Sequence, residues 1–190
     1  KEHLDFYKNY TTLKKAFVTF INKTPPIGKA ILCLDDKNLR KIIKQIKIKN
    51  YLTYGFNKKA DYNIFNIKYD INFTRYDLKI RNSNTKITYI RNIHLNLIGA
   101  YNVLNSVAAI VVSLSLGIKL NTIKKALKNF SGVQRRLTKV FQKDEVEFFD
   151  DYAHHPTEIR AVLDGLKKVV KKKKIISIFQ PHRYSRVKSL

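Results

Sequence analysis

Residues 150–158 read Asp-Asp-Tyr-Ala-His-His-Pro-Thr-Glu, which places two carboxylates and two imidazoles within six positions, directly ahead of an amphipathic stretch. Carboxylates hold cations or accept protons, and imidazoles exchange protons near neutral pH or ligate metals. Asp151, His154 and His155 are therefore the first candidate catalytic residues. The same residues also suit a helix start. Pro156 fits a first helical position, and Asp150 and Asp151 complement the positive end of a helix dipole. A His-His pair without further ligands at helical spacing is weak ground for a metal.

A second polar stretch, Gln-Pro-His-Arg-Tyr-Ser-Arg at 180–186, offers His182, Arg183 and Arg186 to an anionic ligand. Between the two stretches the pattern predicts a helix from about Pro156 to Val170 and an apolar strand, IISIF, at 175–179; a further strand is expected to end near Phe149. That order is a β-α-β unit. Its crossover is right-handed and its strands run parallel, so both carboxyl ends open on one sheet edge, where ligands of open α/β sheets bind. The expectation is that the acidic, imidazole-bearing turn and the cationic turn face a common crevice.

Upstream, Thr11 or Thr12 suits the cap of a helix whose Leu13, Ala16, Phe17, Phe20 and Ile21 share one face. AILCL at 30–34 reads as a short strand covered on both sides, followed by a helix with Leu39, Ile42, Ile43 and Ile46. From Tyr51 to Leu97 the period moves towards two between Asn-rich turns, which predicts β-hairpins or a meander. GAYNVLNSVAAIVVSLSLG is apolar nearly all round and predicts a buried helix closed by Gly117. NTIKKALKNF predicts another helix, capped by Asn121 or Thr122. SGVQRRL then breaks the pattern, and a domain boundary is placed near residue 132. The expected class is α/β, with domains 1–132 and 133–190.

The chain of 190 residues, 44% hydrophobic, is long enough to bury a core. Its longest apolar run, 103–118, is interrupted by Asn105, three serines and Gly117, which argues against a membrane span. No export signal is recognisable at the start, and the single cysteine, Cys33, reads as a small buried side chain of a reducing, cytoplasmic compartment. The net charge of +24 would ordinarily suggest a polyanion partner. Here the excess is mostly lysine, 29 against 9 arginines, spread along the chain together with 22 Ile and 16 Asn. Those are residues of A/T-rich codons, so genome composition accounts for the charge without a nucleic-acid ligand. The aromatic residues alternate with aliphatics instead of forming a basic, aromatic-lined strip. A basic nucleic-acid-binding module stays as the alternative from another class. A metal hydrolase built on Asp151, His154 and His155 lacks a clear fourth ligand or base.

FDDYAHHPTEIRAVLDGLKK followed by IISIFQPHRYSR resembles the C-terminal domain of the Mur ligases, and within them the members that join L-alanine to UDP-N-acetylmuramate. EHLDFY, LKKAFVTFINKTPPIGKAILCLDD, GAYNVLNSVAAIVVSLSLGI and FSGVQRRL resemble, in collinear order, segments of that family's central ATP-binding domain and the hinge after it. The resemblance implies a partial central ATPase-type α/β domain followed by the first β-α-β of a Rossmann-like C-terminal domain. It implies ATP as co-substrate with Mg²⁺, an acyl-phosphate intermediate, and peptidoglycan precursors as the pathway served. A ligase that attaches preformed peptides during cell-wall recycling is the nearest alternative.

By the same resemblance His3 matches a metal-holding histidine, Asn102 and Asn105 match positions associated with adenine, and Arg135 and Arg136 match the hinge. Asp151 matches a nucleotide-contacting carboxylate, while His154, His155, His182, Arg183 and Arg186 fall on the substrate side. Tyr101 stands where the family usually has histidine, and Ala153 where it more often has glycine. No GxxxxGK[ST] loop occurs among the six glycines. The expectation is an internal fragment that does not use ATP by itself.

Overall fold

The computed structural model describes residues 4–81, 86–170 and 173–181. The chain divides into two compact units: residues 1–66, 76–91 and 107–118 form one, and residues 67–75, 92–106 and 119–190 form the other.

In the first unit, helix α1 (Leu4–Tyr7) precedes α2 (Tyr10–Asn22). The cap of α2 is Asn9, not a threonine: its Oδ1 accepts the Thr12 N–H at 2.9 Å and the Thr12 hydroxyl at 3.0 Å. The buried face of α2 is also narrower than its apolar pattern. Ile21 and Val18 pack with Leu32, Leu39 and Ile42, whereas Phe17 and Phe20 stay exposed. Strand β1 (Ala30–Cys33) runs into α3 (Lys37–Ile42), which Asp36 caps by accepting the Asn38 and Leu39 N–H groups at 2.7 Å each.

β2 (Tyr51–Gly55), β3 (Tyr62–Tyr69), β4 (Thr74–Arg81) and β5 (Ile87–Leu95) complete a five-stranded sheet in the order β1-β2-β3-β4-β5. The hairpins expected from Tyr51 onward begin later than the pattern suggests, because β2 is parallel both to β1, with Ala30 opposite Tyr51, and to β3. A parallel step normally needs a dozen or more connecting residues. Six suffice here, because β3 starts level with the end of β2, with Tyr62 opposite Tyr54 and Asn63 opposite Gly55. Side chains secure the step. Asp35 accepts the Phe56 and Asn57 N–H groups at 2.8 and 2.9 Å, and Asp61 accepts the N–H and hydroxyl of Thr53 at 2.8 and 2.6 Å. The buried Asn63 amide donates to the Phe56 and Asn57 carbonyls. Gly55, at φ +146°, is required, since a Cβ there would lie 2.7 Å from the Asp35 carboxylate. β3 and β4 are joined by the four-residue turn 70–73, closed by the Asp70 N–H donating to the Phe73 carbonyl at 2.9 Å, as a hairpin requires.

α4 (Ala100–Ser115) buries Val103, Ser106, Val107, Ile110 and Val111, and leaves Asn105 and Val112 exposed. It ends as expected at Gly117, φ +78°, where the Ile118 N–H donates to Ser113 O and the Gly117 N–H to Leu114 O. α5 (Leu120–Asn129) starts one residue before the expected caps: Lys119 precedes it without a side-chain bond, and only Ile123 is buried. Among the described residues no helix is long and apolar enough to cross a membrane.

The second unit carries an antiparallel pair, β6 (Thr138–Lys143) and β7 (Val146–Asp150), of which only β7 was expected. α6 (Pro156–Val170) follows within the expected bounds. Residues 175–179 form no strand, in contrast to the expected β-α-β unit. A strand exists through its neighbour's hydrogen bonds, and β7 pairs with the adjacent β6, while Ile176 and Ile178 stand 76% and 96% exposed. The parallel pair that would carry two turns to one sheet edge is thus absent from the described residues.

Candidate functional site

The candidate residues of the second unit gather around the turn after β7. Asp151 Oδ2 accepts the Leu137 N–H and its Oδ1 accepts the Ala153 N–H, both at 2.7 Å. The carboxylate thereby fastens the segment 133–137 to the turn. Arg135 and Leu137 both take left-handed backbone conformations, φ 59° and 51°, which side-chain-bearing residues hold only when the surroundings fix them. The Tyr152 N–H closes the same junction on the Arg135 carbonyl at 2.8 Å.

Two arginines leave this junction in different company. Arg135 Nε lies 3.3 Å from Asp150 Oδ2, and its guanidinium sits 4.9 Å from the Tyr152 ring centroid. Arg136 Nη1 is 3.9 Å from Glu158 Oε1 and half-exposed. At that distance the ion pair is loose, and the guanidinium keeps donors for an anionic ligand.

α6 starts with a capping box in which histidine takes the place of the usual Ser or Thr. Glu158 Oε2 accepts the His154 and His155 N–H groups at 3.2 and 3.3 Å, while His155 Nδ1 accepts the Thr157 N–H at 3.2 Å. Burial pulls the Glu158 carboxyl upward, but those two N–H groups and the His154 and Arg136 charges hold it below the usual carboxylate range. His154 Nδ1 lies 2.9 Å from the Tyr152 carbonyl. Its ring opens on a groove of about 470 Å³ along α6, shared with Ile159, Arg160, Leu163 and Phe179.

The first turn of α4 meets the same region. Gly165 of α6 and Gly99 approach backbone to backbone, since a Cβ on Gly165 would lie 3.3 Å from the Gly99 Cα. Gly99, at φ +98°, in turn accommodates the Tyr101 ring. The Tyr101 hydroxyl is buried, and burial, aided by the Asp151 carboxylate, pushes its pKa up against the opposing influence of the Asn102 side chain and the Arg136 charge. Asn102 donates one amide hydrogen to the Ile98 carbonyl at 2.8 Å and keeps its oxygen for another partner; Asn105, one turn on, is exposed.

The structure therefore brings Asn102, Arg135, Arg136, Asp151, His154 and His155 into one unit. His3, His182, Arg183 and Arg186 lie outside the described residues. No three His, Cys, Asp or Glu side chains form a metal-holding group among the described residues. Asp151 commits one lone pair of each oxygen, and His155 its Nδ1, to backbone N–H groups. The Tyr101 hydroxyl lies close enough to the Asn102 side chain, the Asp151 carboxylate and the Arg136 guanidinium to feel all three. Sequence reasoning missed Glu158. Its spacing of three from His155 was the available signal.

Comparison with known proteins gives the family. The Mur ligase middle domain matches residues 1–113, and the Mur ligase glutamate ligase domain matches residues 135–189. The chain belongs to the Mur ligase family. The UDP-N-acetylmuramate--L-alanine ligase of Pelagibacter ubique is 50% identical over 190 residues, which is 100% of this chain and 41% of that protein. The protein of the same name from Rickettsia bellii is 42% identical over 193 residues, covering 100% of this chain and 40% of its own length. Among solved structures, UDP-N-acetylmuramate-alanine ligase MurC from Thermotoga maritima matches 96% of this chain and 39% of that one, with TM-score 0.74 and 30% identity. The chain thus spans about two-fifths of the length of the relatives it matches.

Proposed function

We propose that this chain is part of an ATP-dependent carboxylate–amine ligase of the cytoplasm that adds L-alanine to UDP-N-acetylmuramate during peptidoglycan synthesis. Residues 1–132 are read as belonging to the central nucleotide-binding domain and residues 133–190 to the C-terminal domain. The single observation that carries the reading is the 50% identity, along the whole chain, with a protein named for that reaction. The geometry supports it, since α4 presents Asn102 beside the segment that bears Arg136, at the start of the unit that holds His154 and its groove.

In this reading ATP supplies the phosphoryl group that activates the substrate carboxylate as an acyl phosphate, and the alanine amine displaces phosphate. The chain's residues position and neutralise charge. The Asn102 amide pairs with the adenine edge, with the exposed Asn105 alongside. Arg136 offers its half-exposed guanidinium to the nucleotide, and Arg135 braces it through Asp150. Asp151 holds the junction in the conformation that aims both arginines. His154, with the groove along α6, lies towards the muramate and alanine side, to which His182, Arg183 and Arg186 are assigned by resemblance. Mg²⁺ is assigned to His3 on the same basis.

Titration of the chain with ADP by NMR tests this reading. Arg136→Ala and Asn102→Ala should each weaken binding by roughly tenfold, the value of a lost hydrogen bond to a charged or amide partner. Absence of ADP binding, or affinity unchanged in both variants, would overturn it.

A further inference from the structure

β4 and β5 are neighbours in the sheet. Thr74, which opens β4, and Ile93 and Leu95, which close β5, are buried, so alternation along each strand turns Arg75 and His94 to the opposite face. There the His94 ring stacks on Phe73, with centroids 4.7 Å apart and planes at 25°. The Arg75 guanidinium lies 4.9 Å from the same Phe73 centroid. One aromatic ring thus gathers an imidazole and a guanidinium. Lys128, in the last turn of α5, lies close enough for its charge to act on His94.

We propose that Arg75, His94 and Lys128 form an anion site that takes a phosphate group, free or at the end of a small monoester. Three basic side chains from three elements meet here, and among the described residues none of them has an ion pair or a hydrogen bond. By contrast Arg91, Arg135 and Arg136 each face a carboxylate, at 3.0, 3.3 and 3.9 Å. Partial burial, together with the Arg75 and Lys128 charges, holds the His94 imidazole below its ordinary 6.5, and no carboxylate acts on it in the other direction. The helix dipole accounts for a lysine in the last turn of α5, but not for its meeting two further basic groups. An anion relieves that repulsion. Arg75 supplies a fork of donors, Lys128 a point charge on a flexible stem, and His94 a ring N–H whose plane the Phe73 stack fixes. Donors arriving from three elements suit a tetrahedral group with several oxygens better than a planar carboxylate with two. None of these residues takes part in the nucleotide or substrate assignments above, and the anion site does not depend on them.

The His94 ring signal in an NMR pH titration of the chain reads the site. Sodium phosphate, exchanged for sodium chloride at constant ionic strength, should raise the pH at which His94 titrates, because a bound anion favours the imidazolium. The rise should saturate with phosphate concentration, whereas chloride alone gives the part due to screening. Glycerol phosphate, added separately, distinguishes the two sources: a response to only one of the two assigns the site to that form, and a response to both assigns it to the phosphate group in general. Arg75→Gln and Lys128→Gln alter exposed side chains, so melting temperature should hold while phosphate affinity falls roughly tenfold in each. A His94 titration that neither anion moves further than chloride does, a response that never saturates, or undiminished affinity in both variants would each overturn the proposal.

Discussion

Asp150 and Asp151 are neighbours in sequence with unlike duties, and removing each in turn tests how the hinge segment is held. Asp151 accepts two backbone N–H bonds of 2.7 Å, from Leu137 and Ala153. Asp150 pairs with Arg135 at 3.3 Å, with side chains 45% and 61% exposed. A hydrogen bond to a charged group contributes about 1.5–3 kcal/mol. Two of them, discounted for water that can replace the carboxylate in this partly buried turn, make Asp151→Ala cost about 2–4 kcal/mol. An exposed ion pair contributes about 0–1 kcal/mol, which bounds Asp150→Ala. Asp151→Asn keeps one acceptor oxygen and should fall between the two. The chain has no tryptophan, so melting is followed by far-ultraviolet circular dichroism. At about 2–4 °C per kcal/mol for a chain of this size, Asp151→Ala should lower the Tm by roughly 5–15 °C and Asp150→Ala by less than about 4 °C. Equal losses would refute the idea that the Asp151 carboxylate fastens residues 133–137.

Gly165→Val should separate α6 from Gly99, because even a Cβ would lie 3.3 Å from a backbone carbon; a loss of about 1–3 kcal/mol is expected in urea unfolding. Gly117→Ala, at φ +78° with open space around it, should cost only the left-handed strain of about 1 kcal/mol. Gly55→Ala should cost more, since the added carbon would displace the Asp35 carboxylate from the Phe56 and Asn57 N–H groups; the two melting temperatures compared give the check. Glu158 titrates below its ordinary 4.5, so its contribution to stability is complete above about that pH and is lost as the pH falls through the lower, folded value. Amide exchange at His154 and His155 should quicken only in that acid window, and Glu158→Gln should abolish the dependence.

The parts of the fold legible in the sequence are those set by local pattern. α6 begins at its proline, α4 ends at Gly117, and β1 occupies the short apolar run, because helix period and left-handed glycines are read from neighbours in the chain. What escaped depends on residues far apart. Phe17 and Phe20 match the helical period of α2, but burial follows what lies opposite, and the cluster around Leu32 and Ile42 reaches only Val18 and Ile21. The parallel β2–β3 step defied the rule that short connections make hairpins, because the stagger that permits it is fixed by Asp35, Asp61 and Asn63. At the candidate site the cluster of types was visible and its internal wiring was not. Asp151 and His155 read as reactive groups in sequence, yet each commits an acceptor to the backbone, and Glu158 joins them through a histidine cap that the usual Ser/Thr pattern does not signal.

The β6–β7 hairpin carries Val140, Phe141, Val146, Phe148 and Phe149 on its two faces, all exposed, with the Phe141 and Phe148 rings 5.4 Å apart. Molecules that each bear +24 repel one another, which opposes the meeting of such surfaces. That barrier reaches about 8 Å at physiological ionic strength and about 3 Å at 1 M. Added salt should therefore favour self-association of this polypeptide, the reverse of an assembly held by opposite charges, and dilute buffer should oppose it.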